Sequence, residues 1–185
     1  MLTATLSGLS GRATLLSTLL AHPIDSDQMW QIRGESFGGQ WDRTSPEATR
    51  ALALMRESAA AREDLARIAG DYQRLFGGDP PRIDPRESAY NPDVDPEELR
   101  ALYVTSGVSM PWELEPDHIS SELAYLAQLP LISPNATHDM TAFARDHLRS
   151  WAPVCLAEMS LRAGSLLYQG VGALAMDFIE SLPVH

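Results

Sequence analysis

The chain has 185 residues, 44% of them hydrophobic, which suits one domain with a full core and excludes a disordered class. Its formal net charge of −11 disfavours a nucleic-acid binder, which needs a basic footprint, and suits a basic partner or simply a soluble surface. The one cysteine, Cys155, excludes an intrachain disulfide and a paired-cysteine zinc site; between Val154 and Leu156 it reads as a buried thiol in a reducing compartment. All 14 basic residues are arginine, a bias from which no mechanism follows.

Helical periodicity dominates in chain order, and strand-like alternation is hard to find. A first helix is expected over Leu9 to Ala21, stopping before Pro23. Its lack of a leading positive charge makes the N-terminus a poor signal peptide. A short helix follows from about Ser26 to Arg33, capped by Asp25 or Ser26. Arg33 to Thr44 reads as loop. Ser45-Pro46-Glu47 is a strong helix start, and Leu52, Met55, Leu65, Ile68, Tyr72 and Leu75 carry the spacing on to Phe76, with room for a break near Ala59 to Ala61.

Gly77 to Pro96 holds five of the 13 prolines and two glycines, and reads as a long connector without helix that can hinge. Helix resumes over Pro96 to Ser106, stops at Gly107 and resumes at Pro116. Two long helices close the chain, about Asn135 to Trp151 and Pro153 to Ser181, the second with a break at Gly164. Ala163 to Met176 runs 14 residues without charge, too short for a bilayer span, so a core helix and no stable membrane insertion are expected. The expected class is all-α, a single-domain helical bundle over residues 1–185 in the cytoplasm.

The stretch EPDHISSEL, residues 115 to 123, gathers an acid, an imidazole and a second acid. Placed on a helix at about 100° per residue, Ile119, Leu123, Leu126 and Pro130 form the core stripe. His118, Glu122, Tyr125 and Leu129 form a second stripe beside it, so His118 and Glu122 can touch as i and i+4. Pro116 takes the first helical position, and Asp117 lies on the opposite flank as a cap. The trio does not converge on one reaction centre. A metal site would need His147 and a further ligand, with no HExxH to support it, and no GxSxG marks a nucleophile. What remains is a recognition surface beside an aromatic and leucine stripe.

Two further segments border it. Tyr72, Leu75 and Phe76 share a helix face before Gly77, and Tyr90 follows Glu87 and Ser88; together they suggest either a packed loop or a groove wall with carboxylates at its rim. Met140, Phe143, His147 and Trp151 form a stripe best read as core with one hydrogen-bonded histidine.

These elements, taken in order, are Tyr72-Gln-Arg-Leu75-Phe76-Gly77, Glu87-Ser88-Ala-Tyr90, Pro116-Asp117-His118-Ile119-Ser-Ser-Glu122-Leu123 and Phe143-Ala-Arg-Asp-His147-Leu148-Arg-Ser-Trp151. In that order and spacing the chain resembles the TorD/DmsD/NarJ-type redox-enzyme maturation chaperones over about Tyr72 to Phe178. It departs from the pattern at Leu16, at Pro85-Arg86 and at Glu115, which leaves the subfamily and the client open. The resemblance implies an all-helical cytoplasmic chaperone without catalysis or cofactor. Its partner would be the apo-form of a molybdopterin oxidoreductase catalytic subunit, bound often through a twin-arginine signal peptide. It also implies that Asp117 and His118 line the peptide-binding region, with Tyr72, Leu75, Phe76 and Glu122 beside them.

Complementarity agrees. Two cations followed by an apolar stretch need carboxylates beside an oily groove, and PWELEPD sets Glu113, Glu115 and Asp117 beside Trp112 and Pro116. The alternatives are a metal- or nucleotide-dependent helical enzyme using His118, Glu122 and His147, or a plain helical adaptor. The sequence does not choose between a monomer and a domain-swapped dimer exchanging helices through the 77–96 connector.

Overall fold

Short polar side chains open the helices. The computed structural model describes residues 2–34, 36–39, 41, 45–108 and 113–182. It is all-α, with only isolated bridges in place of strands among the described residues. The helices are α1 (Leu2–Ala21), α2 (Ser26–Arg33), α3 (Pro46–Ala60), α4 (Leu65–Phe76), α5 (Pro96–Thr105), α6 (Ile119–Ile132), α7 (Ala136–Phe143), α8 (Arg149–Arg162) and α9 (Leu166–Ser181). Asp25, Ser45, Asp64 and Asp95 cap α2 to α5 with their side chains, and Asp25 with Gln28 completes a capping box.

The break allowed for near Ala59 to Ala61 is present, and Arg62 makes it by turning left-handed at φ 53°. The boundaries differ from expectation in four places. The first helix begins at Leu2 rather than at Leu9. The connector carries a 3₁₀ turn at Glu87–Ala89. The helix expected from Pro116 starts at Ile119, since His118 is its cap. Finally, no stop precedes Pro153. A π-helical turn, Ala144–Leu148, joins α7 to α8, and α8 continues through Pro153.

Contacts gather into two units, and the Asp84–Pro85 boundary falls inside the 77–96 connector. The first contains Met1–Ala21, Pro85–Pro153 and Ile179–His185. In it α1 lies along α6, burying Leu9, Ala13, Leu16 and Leu20. Ser17 and Ser120 exchange hydrogen bonds at this seam, each hydroxyl giving to the other's carbonyl at 2.8 and 2.7 Å. Such small hydroxyl residues allow close approach and leave no buried polar atom unmet. α6 is buried almost all round, Ile119, Leu123 and Leu126 from one expected stripe and Glu122, Tyr125 and Leu129 from the other.

The second unit contains His22–Asp84 and Val154–Phe178. Its organising group is Asp71, buried on the face of α4 that also carries Ile68, Tyr72 and Leu75. Its carboxylate accepts from Gly164 N–H at 3.0 Å, from Ser165 N–H at 2.8 Å and Ser165 Oγ at 2.7 Å, and pairs with Arg74. Glu63 accepts from Leu166 N–H at 3.1 Å. Two acids thus satisfy the free N–H groups that open α9. Close to it, Gly170 sits so near α3 that a Cβ would meet Ala51 O at 2.7 Å and Met55 Cγ at 2.5 Å. That contact, rather than a membrane, explains the glycine in the charge-free run; no helix among the described residues is long and apolar enough to cross a bilayer. Cys155 is buried, as its apolar neighbours suggested.

Burial pushes the Asp71 carboxyl up, but hydrogen bonds from Gly164, Ser165 and Arg74 outweigh it, so the group titrates below the ordinary aspartate range. A depressed folded value means that this stabilisation is present above the unfolded value of about 3.9 and is lost as pH falls through the folded one. Asp71→Ala should cost about 3 kcal/mol or more in urea unfolding at neutral pH, since several charge-assisted bonds go together. The gap to the parent should close on acidification. Gly170→Ala should cost about 1–3 kcal/mol by overpacking.

Candidate functional site

The site lies in the first unit, where chain 85–90 is laid against the start of α6. Ile119 N–H donates to Pro85 O and Glu87 N–H to Asp117 O, both at 2.9 Å. Arg86 and His118 form an isolated antiparallel bridge. Asp117 completes the join: its Oδ2 accepts from Ser88 N–H at 3.1 Å, and its residue is 1% exposed. A proline-led turn, buried and non-helical, explains why. Its backbone groups cannot reach helical partners, so the connector supplies them. His118 Nδ1 caps α6 by accepting from Ser120 N–H at 3.1 Å, a role that requires that nitrogen unprotonated.

Beneath this join two acids meet. Glu87 and Glu122 are both fully buried. Glu87 Oε2 lies 2.9 Å from His147 Nδ1, and Glu122 Oε2 accepts a long 3.4 Å bond from Trp151 Nε1. The Oε1 atoms of both acids have no hydrogen-bond partner among the described residues. Burial, then the charge of Glu87, pushes the Glu122 carboxyl well above the glutamate range, which favours its neutral form.

A row of rings leads to His147. Tyr103, Tyr125, Phe143 and His147 meet in sequence, tilted or edge-on, with centroids 4.7 to 4.8 Å apart between neighbours. Burial first, then Glu122 and Glu87, drives the Tyr103 hydroxyl far above its usual range, so it serves as a donor, to Pro116 O at 2.9 Å. Outside the rings a cleft of about 320 Å³ opens onto His147. Asp93, Asp95 and Glu98 line it in polar fashion, Val94, Leu99 and Leu102 in apolar fashion. Asp95 is occupied as the α5 cap, whereas Asp93 and Glu98 have no cationic partner among the described residues.

Of the residues marked in the sequence, the structure brings Pro116, Asp117, His118 and Glu122 together, all buried. Tyr90 packs 5.5 Å from the Trp151 ring in the same unit. Tyr72, Leu75 and Phe76 belong to the other unit, where Tyr72 meets Phe76 at 5.0 Å and Tyr168 at 5.6 Å. Trp112 lies outside the described residues. The expected i,i+4 contact of His118 with Glu122 is replaced. His118 is the cap rather than a helical residue, which turns its imidazole back to Ser120 N–H, and Glu122 faces Glu87 and Trp151 instead. Pro116 and Asp117 likewise precede the helix rather than open it. His147 is the hydrogen-bonded histidine of a core stripe, as expected. Its partner Glu87 had been placed at a groove rim; an acid that reads as loop charge is buried because an imidazole and a second carboxyl meet it there. The cleft acids were missed, although DVDPEE is a dense acidic run.

Among the described residues no group of three or more His, Cys, Asp or Glu side chains is placed to hold a metal ion. Residues 41–157 match the family model described as nitrate reductase delta subunit. No curated protein matches the chain.

The raised Glu122 carboxyl can be tested. A raised folded value makes its contribution fully present below the unfolded value of about 4.3, and lost as pH rises through the folded one. Glu122→Gln, which keeps an acceptor for Trp151 and is neutral at every pH, should therefore gain on the parent as pH rises from about 4 to 8 in urea unfolding. A constant difference across that range would refute the raised value. Glu87→Ala should cost about 3 kcal/mol by emptying a buried volume and orphaning His147.

Proposed function

The chain belongs to the nitrate reductase delta subunit family, and on that premise we propose that it is a molybdoenzyme maturation chaperone. It is cytoplasmic and non-catalytic. It binds the apo-form of a molybdopterin oxidoreductase catalytic subunit through its twin-arginine signal peptide, and holds the subunit while the cofactor is inserted.

The observation that carries this reading is the cleft beside His147. It sets acids without cationic partners among the described residues next to apolar side chains, the complement of a leader with two cations and an oily stretch. Glu113 and Glu115 are exposed on the turn ahead of α6 and extend the negative rim, with Glu115 only 4.0 Å from Arg100. In this reading the buried residues Pro116, Asp117, His118 and Glu122 act from behind, fixing the connector and the ring stack that back the cleft. Tyr90, on Trp151, belongs to that backing, while Tyr72, Leu75 and Phe76 serve through the other unit. Bidentate Arg–carboxylate pairs contribute about 1.5–3 kcal/mol each before desolvation, and ordering a flexible peptide offsets part of it. The result is a moderate, releasable affinity.

Calorimetric titration with a synthetic twin-arginine leader tests it. Asp93→Asn with Glu98→Gln should weaken binding about tenfold, as should replacing both leader arginines by glutamine. Asp117→Ala and His118→Ala should weaken it too, accompanied by lost stability. Full affinity in the cleft variant would discard the cleft, and no binding by the parent protein would discard the signal-peptide role.

A further inference from the structure

A second cavity, of about 750 Å³, lies in the other unit between the ends of α2 and α3. Ile32, Ala59 and Ala60 provide its apolar lining, and Arg33, Arg56 and Arg62 its charge. Among the described residues no carboxylate lines it. Elsewhere Arg74 pairs with Asp71, Arg100 with Glu97, Arg145 with Asp146 and Arg162 with Glu158. Around this cavity Arg56 gives a single N–H to Phe37 O at 3.3 Å, and Arg33 and Arg62 have no hydrogen-bond or ion-pair partner among the described residues.

Arg62 adds an independent sign. It holds φ 53°, a left-handed conformation that glycine adopts freely and a long side chain adopts under strain. A glycine would end α3 equally well, so the guanidinium is present at a cost to the backbone. The negative C-terminal end of α2 accounts for one cation, Arg33 in its last turn, but not for three around one space.

We propose that this cavity binds a small phosphate-bearing ligand. Guanidinium forks match phosphate oxygens two at a time, and several forks facing one space suit a group with several anionic oxygens. The volume falls within the range of small-molecule sites, about 300–1,000 Å³, and exceeds what a lone phosphate fills. An organic body would rest on Ile32, Ala59 and Ala60.

Calorimetry with inorganic pyrophosphate and with ADP, both without metal, tests the site. One equivalent of pyrophosphate should bind, and the double variant Arg33→Gln with Arg62→Gly should weaken it about tenfold or more. Arg82→Gln, an exposed arginine that does not line the cavity, should leave it unchanged. The glycine relieves the strained φ, so folding is retained and circular dichroism will confirm it. ADP tighter than pyrophosphate assigns the apolar floor to an organic body; equal affinities make free pyrophosphate chemistry sufficient. No pyrophosphate binding, undiminished binding in the double variant, or equal binding of a hexaglutamate peptide would each overturn the phosphate site.

Discussion

The arrangement of the first unit depends on the buried acid pair under the connector. Glu87 comes from a 3₁₀ turn and Glu122 from the first turn of α6, so the two buried carboxyl groups sit where an irregular segment meets a regular one. His147 and Trp151, from the π-helical turn and α8, close the outer oxygens. Four pieces of chain thereby meet at two carboxyl groups. Buried polar networks of this sort are costly unless every member finds a partner, and for that reason they admit few alternative packings. The connector, which has little hydrophobic content of its own, is given one place to lie.

The second unit solves the same problem with opposite electrostatics. Asp71 and Glu63 meet N–H groups and hydroxyls at the opening of α9, and Asp71 keeps its charge where Glu122 loses it. The difference follows from the company each acid keeps. Donors from a helix start stabilise an anion; a second carboxyl beside it in a dry interior does not. Composition alone, 25 acids in 185 residues, cannot distinguish these roles.

Much of the fold was legible because local chemistry is strong at helix starts. Ser45-Pro46-Glu47 announced α3, Asp25 announced α2, and Gly107 at φ +75° ended α5 as its residue type implies. Partners contributed from far along the chain were not legible. Asp117 reads as a helix cap until Ser88 N–H is known to reach it, and Glu87 reads as rim until His147 does. The π-helical turn was invisible because the residues it contains are ordinary helix formers; only the tertiary fit of Phe143, His147 and Trp151 reveals it. Within the site, residue types were right more often than their orientation. Asp117, His118 and Glu122 do gather, yet with their side chains turned inward.

That π-helical turn takes up one residue of chain without changing where the chain goes. Five residues occupy a bulge where Arg149 N–H reaches back to Ala144 O. A turn closed five residues back holds one residue more than a turn closed four back, and it advances the helix through nearly the same angle. The phase of α8, and with it the place of Trp151 against Glu122 and Tyr90, is therefore what an uninterrupted helix one residue shorter would give. Excising the exposed Arg145 would leave plain α-helix with the downstream side chains still in register.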